Sequence, residues 1–120
     1  SGKTKLIGVT ILTSLDNKSL KEIGFDKNIK KLVLHQARLA TKAKLDAIVC
    51  SPHEIKIVKK VFKKEIITPG IRLLGDSKGD QKRIMTPRQA FHNGATALVM
   101  GRSLTSNIKK NIQRLIKDLS

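Results

Sequence analysis

Two arginines of this chain lie just past short β-rich runs, each with a glycine close before it. Thr68-Pro69-Gly70-Ile71-Arg72 follows the run Glu65 to Thr68, and Gly101-Arg102 follows the run Ala97 to Met100. Glycine lets backbone N–H groups come close to an anion, and a helix N-terminus adds a favourable dipole. The planar fork of arginine matches the oxygens of a phosphate. The chemistry such pairs could do is to hold a phosphate group. The bare pattern does not decide it, because Gly-Arg is a common dipeptide and an exposed arginine is usually only surface.

Other reactive residue types offer less. His35, His53 and His92 fall on different stretches with no metal-ligand spacing between them, so surface or structural roles are expected and no metal site. Cys50 ends the apolar run Ala47-Ile48-Val49-Cys50 and reads as a small buried hydrophobe. Neither Cys50 nor Ser51 has a base at a position that suggests a nucleophile pair. Met85 and Met100 read as core.

The elements that must position these residues alternate regularly. Leu6 to Leu12 is apolar on both faces, as a buried parallel strand must be. A helix is predicted from about Lys27 to Lys44, with Ile29, Leu32, Val33, Ala37 and Ala40 on one face and lysines on the other. A second strand covers Ala47 to Cys50. Ser51-Pro52-His53-Glu54 then has the form of a capping box with proline in the first turn, and Ile55, Val58 and Phe62 face inward. The third strand, Glu65 to Thr68, leads into a polar loop from about Leu73 to Arg83. Thr86-Pro87-Arg88-Gln89 is a second helix start, and Gly94 its stop. After the fourth strand, Ala97 to Met100, Ser106 is the expected cap of a last helix, in which Ile108, Ile112, Leu115, Ile116 and Leu119 recur at helical spacing.

The order is thus β-α four times, an α/β fold with parallel strands and right-handed crossovers. Pattern alone leaves two architectures open, an open doubly wound sheet and four units of a (β/α)8 barrel. Both bind ligands at the C-terminal ends of the strands, where the two arginines lie.

Composition narrows the partners. The net charge is +16, which favours anionic ligands. Nucleic acid is nevertheless an unlikely partner. The lysines are scattered through every segment, and aromatics are 2% with no Trp or Tyr, so platforms for stacking bases are scarce. One cysteine excludes a disulfide framework and suits a reducing, cytoplasmic setting. No apolar run approaches the roughly 18 residues of a membrane span, and no signal peptide is expected. At 120 residues the chain is one domain, yet short for a whole barrel enzyme, which takes roughly 250 residues.

Four motifs then occur in a telling order. Gly8-Val9-Thr10-Ile11-Leu12-Thr13-Ser14 resembles the fifth strand of bacterial orotidine 5'-phosphate decarboxylases. Ala47 to Glu54 resembles their sixth strand and the helix start after it. Thr68 to Arg72, Gly79-Asp80-Gln81-Lys82-Arg83 and Thr86-Pro87 with Ala90 resemble their seventh strand, loop and following helix. Leu98 to Thr105 resembles the eighth. The resemblance covers essentially the whole chain and implies the C-terminal half of a (β/α)8 TIM barrel, residues 1–120 forming one partial domain.

It also implies roles. Thr13 would contact the pyrimidine, and Arg72, Gly101 and Arg102 the phosphate. Gln81 would bridge phosphate and base. No cofactor is implied, and the substrate is a small molecule, orotidine 5'-phosphate, converted to UMP and CO2 in pyrimidine synthesis. Ser103 stands where many members have proline, a departure expected to matter little. The family's Asp-x-Lys-x-x-Asp motif is absent; Asp76 to Asp80 encloses a lysine at the wrong spacing. The catalytic groups are therefore expected elsewhere: in a preceding segment, in a separate chain, or nowhere if the gene is decaying. The chain alone is expected to be inactive and to pair with an N-terminal half or with itself. Two alternatives stand beside this reading, a sugar-phosphate decarboxylase of the same superfamily and a non-enzymatic polyanion-binding module.

Overall fold

Four short strands pair side by side in the order in which the chain makes them. They are β1 (Ile7–Val9), β2 (Ala47–Val49), β3 (Glu65–Thr68) and β4 (Ala97–Leu98). All three pairings are parallel, with Val9 level with Val49, Val49 with Ile67, and Ile67 with Ala97. The structure is a computed structural model and describes residues 4–10, 17–24, 28–73 and 85–120. The helices are α1 (Asn17–Glu22), α2 (Ile29–Lys42), α3 (Ile55–Val61), α4 (Pro87–Asn93), α5 (Arg102–Thr105) and α6 (Ile108–Leu119). A doubly wound sheet reverses its strand order part-way across. The order β1-β2-β3-β4 has no such switch point. It is the order of four consecutive units of a (β/α)8 barrel, and the architecture is half of one.

The core lies between the sheet and the helices. Ile48, Cys50 and Ile66 of the sheet meet Val33, Ala37, Ile55, Val58, Phe62 and Ala90 of the helices, all buried. α2 starts at Ile29 because the Asn28 side chain accepts from Lys31 N at 2.9 Å and caps the helix. Its inward face is the predicted one, Ile29, Leu32, Val33, Ala37 and Ala40. The Thr86–Gln89 capping box forms in full, and Gly94 ends α4 with φ of 119°, a left-handed conformation that glycine adopts without strain.

The structure corrects several local expectations. The first strand is not buried on both faces. Ile7 and Val9 are 52% and 61% exposed, and Val99 of the β4 region is 52% exposed. These residues share the face of the sheet away from the helices, which nothing among the described residues covers. The helix start after β2 is a 3-10 turn, Pro52–Glu54, and Ser51 makes no side-chain cap. Its hydroxyl donates instead to the buried Glu54 carboxylate. In a 3-10 turn residues i and i+3 eclipse, so these two side chains meet each other. The last helix is capped by Asn107, which accepts from Lys110 N at 3.3 Å, whereas Ser106 closes the preceding helix α5. The apolar stripe of α6 does not face the core either. Ile108, Ile112, Ile116 and Leu119 are exposed, and Asn111 is the residue that packs inward.

Candidate functional site

The C-terminal ends of β3 and β4 converge through a small set of backbone and side-chain contacts. Past β3 the chain turns at Pro69-Gly70, where Gly70 has φ of 77°. Ile71 then forms a parallel bridge with Met85, and Arg72 N donates to Met85 O at 3.0 Å. Arg72 is 8% exposed, and its Nη1 donates to the carbonyl of Ile71 at 3.0 Å. Among the described residues no carboxylate pairs with this guanidinium. A nearly buried cation whose partner among the described residues is a neutral carbonyl favours an anion beside it.

Past β4, Gly101 opens α5. Its carbonyl accepts from Leu104 N at 2.9 Å and from Thr105 N at 3.1 Å. A Cβ placed on Gly101 would meet no atom within 4 Å, so the space over this turn is open to an approaching group. Arg102 follows on the exposed side. Beyond the bond from Val99 N to Thr68 O, the segments after the two strands are joined by a hydrogen bond from Leu73 N to Ser103 Oγ at 3.2 Å, in a buried position. Arg72 and Arg102 each immediately precede one partner of that bond. The predicted residues Arg72, Gly101 and Arg102 therefore gather at one place, while Thr13 and Gln81 lie outside the described residues.

Sequence reasoning missed several neighbours. Ser103 is buried and hydrogen-bonded, not incidental. Asn111 donates from Nδ2 to Leu104 O at 3.3 Å and to Ser106 Oγ at 3.1 Å, fastening α5 to α6. No local signal marks it: Asn111 lies three residues after Ile108 and four before Leu115, beside the apolar stripe of α6. A cleft of about 400 Å³ beside Leu73 carries Arg88, Arg114 and Lys117, with Asp118 among them. Asp118 Oδ2 accepts from Arg88 N at 2.9 Å, so α6 closes over the start of α4. His53 and His92 line one cleft of about 560 Å³ with Arg88 and Gln89, a meeting that their spacing does not announce. No group of three metal-ligating side chains occurs among the described residues. Thr68 Oγ1, at the end of β3, is buried with no hydrogen-bond partner among them.

A family model described as orotidine 5'-phosphate decarboxylase / HUMPS matches residues 1–111. The chain belongs to this family. Among similar proteins is an orotidine 5'-phosphate decarboxylase of Coxiella burnetii, 46% identical over 121 residues that cover 98% of this chain and 51% of the relative. The family member thus spans about half the length of the curated relatives it matches. The crystal structure of the orotidine 5'-phosphate decarboxylase from Lactobacillus acidophilus superposes with a TM-score of 0.73 at 28% identity, over all of this chain and 52% of that one. The enzyme from Methanocaldococcus jannaschii, complexed with the inhibitor BMP, shares the fold with a TM-score of 0.64 at 18% identity. In this family member, no described helix is long and apolar enough to cross a membrane.

Proposed function

We propose that the chain is the phosphate- and base-binding half of an orotidine 5'-phosphate decarboxylase, a single partial domain over residues 1–120. The observation that carries this reading is the convergence of Arg72 with Gly101-Arg102 through the Leu73–Ser103 bond at the C-terminal strand ends. In barrel enzymes the loops after the last two strands commonly hold phosphate. In this proposal Arg72 and Arg102 bind the phosphate as charged forks, and the Gly101 turn offers backbone N–H groups to it. Thr13 contacts the pyrimidine, and Gln81 spans phosphate and base.

The chemistry itself needs more than this half contains. Loss of CO2 leaves a carbanion on the pyrimidine ring. A positioned lysine must stabilise and protonate that carbon, with carboxylates to order it. The Asp-x-Lys-x-x-Asp motif that would provide them is not in the sequence. Binding at a remote phosphate contributes to rate only when it holds the reacting carbon against such groups. The chain therefore binds but does not turn over substrate, and a complementary half with the catalytic lysines and aspartates restores the reaction.

The test is decarboxylation of orotidine 5'-phosphate followed by ultraviolet absorbance. The chain alone should give none, and addition of the four N-terminal β-α units of a full-length relative should give turnover. Turnover by the chain alone would mean that one of its own lysines has taken the carbanion role. The family description also embraces the sugar-phosphate reading. Preference for a sugar phosphate over UMP in binding would favour it, whereas the 46% identity to an orotidine enzyme favours UMP.

A further inference from the structure

The phosphate site of this chain stands on a very short helix. α5 has four residues, and a helix of that length does not hold its own shape in water. Its place is set by what grips it. On one side Asn111 binds Leu104 O and Ser106 Oγ, tying its end to α6. On the other side Ser103 Oγ accepts from Leu73 N at 3.2 Å, tying its start to the segment after β3. Ser103 is 5% exposed, so this bond forms out of water. Leu73 is itself anchored, because the adjacent Arg72 N donates to Met85 O. The Ser103 hydroxyl thus links α5 to the Ile71–Met85 bridge that follows β3.

We propose that Ser103 is a positioning residue that holds Gly101-Arg102 at a fixed separation from Arg72, so that both guanidinium groups meet a single phosphate. The inference rests on the phosphate-binding reading above. Ser103 touches no ligand in this scheme. It acts through the Leu73 amide, and the group it positions is the monophosphate of a nucleotide. Without the hydroxyl the turn still forms, since Leu104 N and Thr105 N bond to Gly101 O independently. What is lost is the registry between the two arginines.

The experiment compares the wild-type chain with Ser103→Ala and Ser103→Thr. Each is titrated calorimetrically with UMP, with inorganic phosphate and with uridine, and amide hydrogen exchange at Leu73 is followed by NMR. Loss of one buried neutral hydrogen bond is worth roughly a fivefold change in affinity. The expected result for Ser103→Ala is roughly fivefold weaker UMP and phosphate binding, unchanged uridine binding and faster exchange at Leu73. Ser103→Thr, which keeps the hydroxyl, should restore all three. The proposal is overturned if Ser103→Ala binds UMP as the wild type does. It is equally overturned if UMP and uridine weaken together, which marks a general loosening of the fold, or if Leu73 exchange is unaltered. Failure of the underlying reading shows itself separately, as a wild-type chain that binds uridine and UMP alike.

Discussion

Arg72 and Arg102 look equivalent in the sequence, each an arginine behind a glycine, but the structure gives them different surroundings. Arg72 is nearly buried and hydrogen-bonded to its own chain, whereas Arg102 stands exposed at the start of α5. Their alanine variants should therefore separate. Arg102→Ala is expected to weaken UMP binding by about 1.5–3 kcal/mol, the range for a hydrogen bond to a charged group, and to leave the thermal midpoint unchanged. Arg72→Ala should weaken binding by a similar amount and also lower the midpoint, because its stem and guanidinium fill a buried position. Calorimetric titration beside a thermal melt reads both quantities, and equal melts for the two variants would remove the distinction. The location of both arginines was legible in the sequence, because glycine after a strand marks a strand end. Their difference in burial was not: the Arg72 segment pairs through its backbone with Met85, a contact between segments that no local pattern encodes.

Among the elements, most starts and stops set by local rules came through, the Ser51 cap excepted, while the buried face was legible for α2 and not for β1 or α6. β3 and the Thr86 capping box appear where the sequence places them, because a strand bounded by Pro-Gly and a Thr-Pro-x-Gln start are decided within a few residues. The cap of α6 is a near miss of the same kind. Ser106 and Asn107 are both good caps, and the choice falls to Asn107 because Ser106 is engaged by Asn111 and belongs to the end of α5. Two substitutions follow from these assignments. Thr86→Ala and Asn107→Ala should each destabilise the chain by about 1 kcal/mol, the usual loss for a helix cap. Urea unfolding followed by circular dichroism measures this, and an Asn107→Ala variant as stable as wild type would return the cap to Ser106. The inward turn of Asn111, and the outward turn of Ile108, Ile112 and Ile116, lay beyond the sequence. Helical spacing says that such residues share a face, and only the neighbouring elements say which way it points.

At the scale of the molecule the central fact is an apolar surface that none of the described residues covers. Ile7, Val9 and Val99 are exposed on one face of the sheet, and the isoleucine stripe of α6 is exposed beside them in composition if not in position. Among the described residues the sheet also ends in two unpaired edges, at β1 and β4. The expectation of a strand buried on both faces holds for eight strands closed into a barrel, and the described residues form four. Whatever supplies the other four strands in parallel order closes both edges at once. In a solution of this chain alone, the available supplier is a second copy, with β4 of each beside β1 of the other. Self-association is therefore expected, seen as a sedimentation coefficient that rises with concentration. The variant Val9→Lys with Val99→Lys tests the surface involved. Both side chains are more than half exposed, so the change removes little burial within one chain, yet it places charge inside any closed barrel. The variant should sediment as a monomer with unaltered helical circular dichroism, and it should also block rescue of decarboxylation by an added N-terminal half. A wild-type chain that stays monomeric and melts cooperatively would mean that this face is stable in water. A variant that still associates would place the contact elsewhere, with the exposed stripe of α6 as the next surface to change.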